Sequence, residues 1–161
     1  MLRRDGAEDS ANSEETEMGN RYKGYLDNAR ETIASKLNMY LAGEGLERIT
    51  GFVTSAFDLG NERMIAVYPA SPSGETFKDD GHAAHADLTI EIYLNEDATA
   101  ESCDLAEKYY TALIGFLQEV SFSEFDVIST SSLLRMDDGF DRNGAMFLIE
   151  SRLSTLMDWG Y

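Results

Sequence analysis

The sequence predicts an α+β fold: a largely antiparallel sheet of about five strands with two helices packed on one face, in the order α-β-β-β-α-β-β. Three observations predict it. Apolar residues recur with helical spacing in two separate stretches. After each stretch the apolar spacing shortens to two. Turn-forming residues stand at the changes of period. The chain has 161 residues, 43% of them hydrophobic. A domain of about 150 residues buries ~70% of its unfolded surface, so one core is within reach.

Residues 1–19 come first and differ from the rest. They hold six acids and two bases, and their larger apolar residues are Met1, Leu2 and Met18. So little apolar surface does not offset the entropy of ordering, which predicts a flexible acidic tail before a single domain at 20–161. The first helix is expected over 20–42. Tyr22, Leu26, Ala29, Ile33, Leu37 and Tyr40 form its apolar stripe; Asn20 can cap its start, and Gly43 or Gly45 its end. From Ile49 the period changes, and FVTSAFDLGNERMIAVY reads as a hairpin turning at Asp58-Leu59-Gly60-Asn61. Pro69 and Pro72 stop the second strand, and residues 70–85 read as a long polar connection. The next strand has Leu88, Ile90, Ile92 and Leu94 inward and Asp87, Thr89, Glu91 and Tyr93 outward, which predicts one buried and one wet face.

A second helix, starting at Asn95, Asp97 or Thr99 and running to about 120, carries Ala106, Tyr109, Leu113, Phe116 and Val120 on its apolar stripe. Glu101, Asp104 and Glu107 sit near its start, where carboxylates favour the positive end of the dipole. Two strands follow, one from Phe125 to Met136 and one within Ala145 to Trp159, joined through Asp137 to Gly144. Trp159 and Tyr161 read as cover for the sheet edge or as an interface anchor.

Charge excludes several roles. The formal net charge is −17, of which −13 falls on residues 20–161. Phosphates are neutralised by Lys and Arg, so general affinity for DNA or an anionic membrane is not expected. No apolar run approaches the ~20 residues of a membrane-spanning helix, and the opening residues lack the apolar segment of a secretory signal. Cys103 alone makes neither an internal disulfide nor a cysteine-rich zinc site.

Asp79, Asp80, His82, His85 and Asp87 offer metal-ligand types in a polar loop. A His-x-x-His spacing arises by coincidence as readily as by function, and Asp87 is a natural outward strand position, so no metal is expected. Asp141, Asn143, Gly144 and Glu150 match part of a calcium loop, but Gly139 stands at the first ligand position and the flanks read as strands. No Gly-x-Ser-x-Gly elbow is present, and Gly43-Glu44-Gly45 follows a helix rather than a strand, unlike a phosphate cradle. Glu101 and Asp104 oppose a reactive thiolate at Cys103. Acidic pairs such as Glu124/Asp126 carry little information in a chain with 30 acids. No catalytic residue, metal or cofactor is expected.

The helix YLDNARETIASKLNMYL, the strands around FVTSAFDLGNERMIAVY, the strand ADLTIEIYL, the helix LAEKYYTALIGFLQEV and the closing pair through MFLIESRLSTLMDW share their order, size and acidity with a known group. Over about residues 20–161 the chain resembles the tail-terminator and minor tail (tail-completion) proteins of long-tailed bacteriophages. The resemblance implies a non-enzymatic structural role, a ring that is often hexameric, and a place in the virion tail or neck after assembly in the host cytoplasm. It also implies contact with tail-tube and head–tail connector proteins. The alternative is an acidic adaptor or inhibitor that binds a basic protein partner.

Surface charge suggests how copies would meet. Between Arg21 and Arg48 five bases stand against four acids, whereas from Ile49 onward six bases stand against twenty. Unlike surfaces of one chain join into a ring when the rotation closes. Arg21, Lys23, Arg30 and Lys36 are therefore the candidate subunit interface. Glu75, Asp79 and Asp80 in the polar connection are the candidates to face a channel, where negative charge would let DNA pass without sticking.

Overall fold

A computed structural model of the chain describes residues 6–49, 51–53, 63–68, 77–79, 83–123, 125–138 and 144–158. The fold is α+β, with two helices and a sheet whose four main strands are antiparallel. In chain order the elements are α1 (Gly6–Gly43), β1 (Gly51–Val53), β2 (Met64–Tyr68), β3 (Phe77–Asp79), β4 (Ala83–Asp97), α2 (Ala100–Glu119), β5 (Asp126–Asp138) and β6 (Gly144–Asp158). The sheet order is β1-β2-β4-β6-β5, and β3 also pairs with β4.

Helix α1 begins at Gly6, not at Asn20, so residues 6–19, where a tail was expected, have helical backbone. Ala7, Ala11, Glu8, Glu14, Glu15 and Glu17 are good helix formers or suit a helix N-terminus. A shortage of apolar residues removes packing, but it does not remove that propensity. At the other end Gly45 adopts φ +76°, a conformation that favours glycine. Gly45 N–H then donates to Ala42 O at 3.1 Å and Leu46 N–H to Leu41 O at 2.9 Å. These two bonds make the Schellman ending that the glycine permits. Thr99 caps the start of helix α2: its Oγ1 accepts from Ser102 N–H at 3.1 Å.

The core lies between the helices and one sheet face. From α1 it takes Ala29, Ile33, Leu37 and Leu41, and from α2 Ala106, Tyr109, Leu113 and Phe116. They meet Ile65 and Val67 of β2, Leu88, Ile90, Ile92 and Leu94 of β4, and Phe147, Ile149 and Leu153 of β6. Ladder register puts these strand residues on one face, since Ile92 stands opposite both Ile65 and Ile149, and Leu88 opposite Leu153. Both helices therefore cover the same side of the sheet, as their single apolar stripes require.

Four expectations need correction. Among the described residues the sheet has six strands rather than about five, and the order is α-β-β-β-β-α-β-β. The 70–85 connection is interrupted by β3 and ends early, because β4 already starts at Ala83. Phe77-Lys78-Asp79 pairs with Ala84-His85-Ala86, so a stretch read as polar loop extends the sheet. Third, β1 pairs with β2 in parallel, Gly51 opposite Met64, rather than as a hairpin. Parallel neighbours cannot be joined by a two-residue turn; the turn expected at Asp58 to Asn61 lies outside the described residues. Fourth, the outward face of β4 is not wet at its middle. Thr89, Glu91 and Tyr93 are buried there, because Tyr93, Ala66 and Leu148 form a second apolar cluster with Met64, Tyr68 and Met146 against it.

Candidate interaction surface

Strand β5 is the terminal strand of the sheet and 13 residues long. Among the described residues no strand pairs with its outer edge. From Val127 to Leu134 the sequence VISTSSLL has no charge, no proline and no glycine. Native edges are usually guarded by Lys, Pro, shortness or a bulge. Here the guards are charges at the two ends, Asp126 at one and Arg135, Asp137 and Asp138 at the other, and one bulge, a register shift between Val127 and Ser129 that leaves Ile128 unpaired with β6. Ile128, Leu133 and Met136 are exposed at 55%, 39% and 51%. At the opposite edge, three residues of β1 are described.

The candidate interface residues on α1 are employed within the chain. Lys23 Nζ lies 3.3 Å from Asp27 Oδ2, both side chains well exposed. Arg30 donates from Nε to Val67 O at 3.0 Å and from Nη1 to Asp27 Oδ1 at 3.1 Å. Lys36 Nζ donates to Ser121 O at 3.0 Å and stands 5.2 Å from the centre of the Phe122 ring. These bonds tie α1 to β2 and to the segment after α2. The side chain of Arg21 lies outside the described residues, as do Glu75 and Asp80. Asp79 ends β3 opposite Ala84, so its backbone belongs to the sheet and not to a free loop.

Other sequence candidates are dispersed. His85 and Asp87 stand two apart on β4, His85 exposed, and Asp87 Oδ1 accepts from Ser154 Oγ at 3.1 Å. Asp80 and His82 lie outside the described residues. Among the described residues no three His, Cys, Asp or Glu come together as a metal site. Glu150 sits inside β6, and Gly144 opens that strand opposite Asp97, far from the helix–loop–helix of a calcium site. Cys103 is exposed near the start of α2. Of the described helices, none is long and apolar enough to cross a membrane.

The sheet face away from the helices holds a feature that periodicity did not single out. Glu91 is 4% exposed, and the hydroxyls of Tyr68 and Tyr93 donate to its two carboxylate oxygens. Ala66 stands opposite Glu91 on β2 and leaves room for both rings, while Glu150 stands opposite on β6. Burial pushes the Glu91 carboxyl above the usual range; the Tyr68 hydrogen bond opposes this, the Glu150 charge adds to it, and Arg135 and Arg152 oppose it. Burial and the same carboxylate hold the Tyr68 phenol well above its ordinary value. Glu150 Oε1 in turn accepts from Arg152 Nε at 2.7 Å. Both Glu91 oxygens are taken, so a substrate atom would have to displace a tyrosine. The arrangement satisfies a buried charge; it does not present one.

A groove of about 730 Å³ separates the end of α1 from α2 and carries Glu44, Asp104, Glu107 and Glu119 beside Lys108. At its wall Tyr40 donates to Glu119 Oε2 at 3.1 Å. Arg63 donates to Glu96 at 2.7 Å, to Glu47 at 3.1 Å and to the Tyr109 hydroxyl at 3.2 Å, while that hydroxyl donates to Glu47 O. This joins the approach to β2, the end of β4, α2 and the chain after α1. The chain matches no family model and no curated protein.

Proposed function

We propose that this chain is a structural assembly protein of a phage or prophage tail, forming a ring at the end of the tail tube or at the head–tail joint. The size and acidity of the chain support that reading. The single observation that carries self-association furthest is the long outer edge of β5, uncharged from Val127 to Leu134. Such an edge needs cover, and an assembling subunit supplies it. In this reading the chain is not an enzyme, its partners are further copies and the tail-tube and connector proteins, and its acidic surface lets DNA pass without binding.

The acidic groove beside Tyr40 favours a second reading, an adaptor or inhibitor that engages a basic protein. Electron microscopy of the purified chain, alone and mixed with tail tubes, separates the two. Rings, or tubes capped by added density at one end, are expected for the tail protein. Discrete particles that leave the tubes bare would contradict it.

A further inference from the structure

We propose that β5 pairs with β5 of a second copy, antiparallel, about a two-fold axis through Ser131, so that two sheets continue as one. This rests on the reading that the chain works by self-association, and adds which surface does so and with what symmetry.

Strand β6 serves as the ruler. Ser131 stands opposite Arg152, Arg135 opposite Leu148 and Asp126 opposite Leu156. Arg135 and Asp126 therefore lie four rungs from Ser131 in opposite directions. By residue number they are four and five away; the bulge at Ile128 makes the distances equal. Arg152, Leu148 and Leu156 alternate with the core-facing residues of β6, so Ser131, Arg135 and Asp126 all belong to the face away from the helices.

A two-fold axis at Ser131 then sets Arg135 opposite the partner's Asp126, and does so twice. Opposite charges across a ladder attract and like charges repel, so this register is favoured at both ends. Leu134 and Val127 lie three rungs from Ser131 in opposite directions, on the helix-covered face, and meet as a pair of apolar side chains. The uncharged run between them meets itself. Among the described residues β1 offers three, which allow only a short ladder. A two-fold contact closes on itself, so a ring would use a second, different surface.

The test uses the full chain, with mass read by light scattering across a concentration series. Arg135→Asp and Asp126→Arg, each alone, are expected to weaken the dimer about tenfold by setting like charges opposite each other at both ends. The double variant is expected to restore it. Independently, Ser131→Cys in a Cys103→Ser background is expected to form a disulfide-linked dimer on mild oxidation. Opposite residues of a ladder have Cβ atoms ~4.5–5.5 Å apart, close to disulfide reach. An oligomer unaffected by either reversal and unlinked at position 131 would overturn the β5 pairing and leave self-association standing. A chain that is monomeric at every concentration would overturn both.

Discussion

At the scale of single residues, Glu91 is the most demanding group in the structure. It is a buried carboxyl on a sheet face, kept there by two tyrosine hydroxyls. Removing the acceptor by Glu91→Leu leaves the buried Tyr93 hydroxyl without a partner, and is expected to cost about 1–3 kcal/mol in denaturant unfolding. The pH dependence has a definite sign. The folded carboxyl titrates above its unfolded value of 4.5. Its contribution to stability is therefore fully present below 4.5 and is lost as pH rises through the raised folded value. Glu91→Gln does not titrate. Thermal melts of the two chains across that window are expected to diverge in favour of Glu91→Gln as pH rises. A constant difference would show that the carboxyl is not perturbed. Sequence reading placed Glu91 correctly on the outward face, yet read that face as wet. Alternation reports which side a residue takes, and not that Tyr68 and Tyr93 will close over it.

At the scale of elements, the two apolar stripes carried most of the fold. Ala29, Ile33 and Leu37 of α1, and Ala106, Tyr109, Leu113 and Phe116 of α2, are all buried. Leu113 is 0% exposed, so Leu113→Ala is expected to cost ~2–5 kcal/mol in denaturant melts. The two helices meet closely at Gly115, where an added Cβ would lie 2.5 Å from the Tyr40 hydroxyl oxygen and 3.4 Å from its ring carbon Cζ. Alanine gains ~1 kcal/mol over glycine inside a helix. Gly115→Ala alone is therefore expected to be near neutral, with the displaced hydroxyl offsetting the propensity gain. In a Tyr40→Phe background the same change is expected to stabilise by up to ~1 kcal/mol. Equal effects in both backgrounds would remove the hydroxyl contact from the account. What escaped the sequence was long-range. Phe77-Lys78-Asp79 is too short for periodicity and gains its place by pairing with β4. The parallel partnership of β1 and β2 is also set by the sheet and not by local spacing. That β5 ends the sheet has no local signal either; the uncharged run VISTSSLL was the available hint.

At the scale of the whole molecule, net charge and the open edge pull in opposite directions. Each chain carries −17, so copies repel at a distance. That repulsion is screened over ~10 Å at 0.1 M salt, whereas ladder hydrogen bonds and apolar contacts along β5 are not lost. Association is therefore expected to tighten between low and moderate salt. Association that weakens steadily with salt would place the contact on unlike charged surfaces instead, as the basic residues of α1 first suggested. Lys36 and Arg30 already bond within the chain. The central claim is that this chain acts by joining copies of itself. Sedimentation equilibrium of the intact 17.9 kDa chain at moderate salt tests it most directly. The expected result is twice the chain mass, with larger multiples as concentration rises; the single-chain mass at every concentration would contradict it.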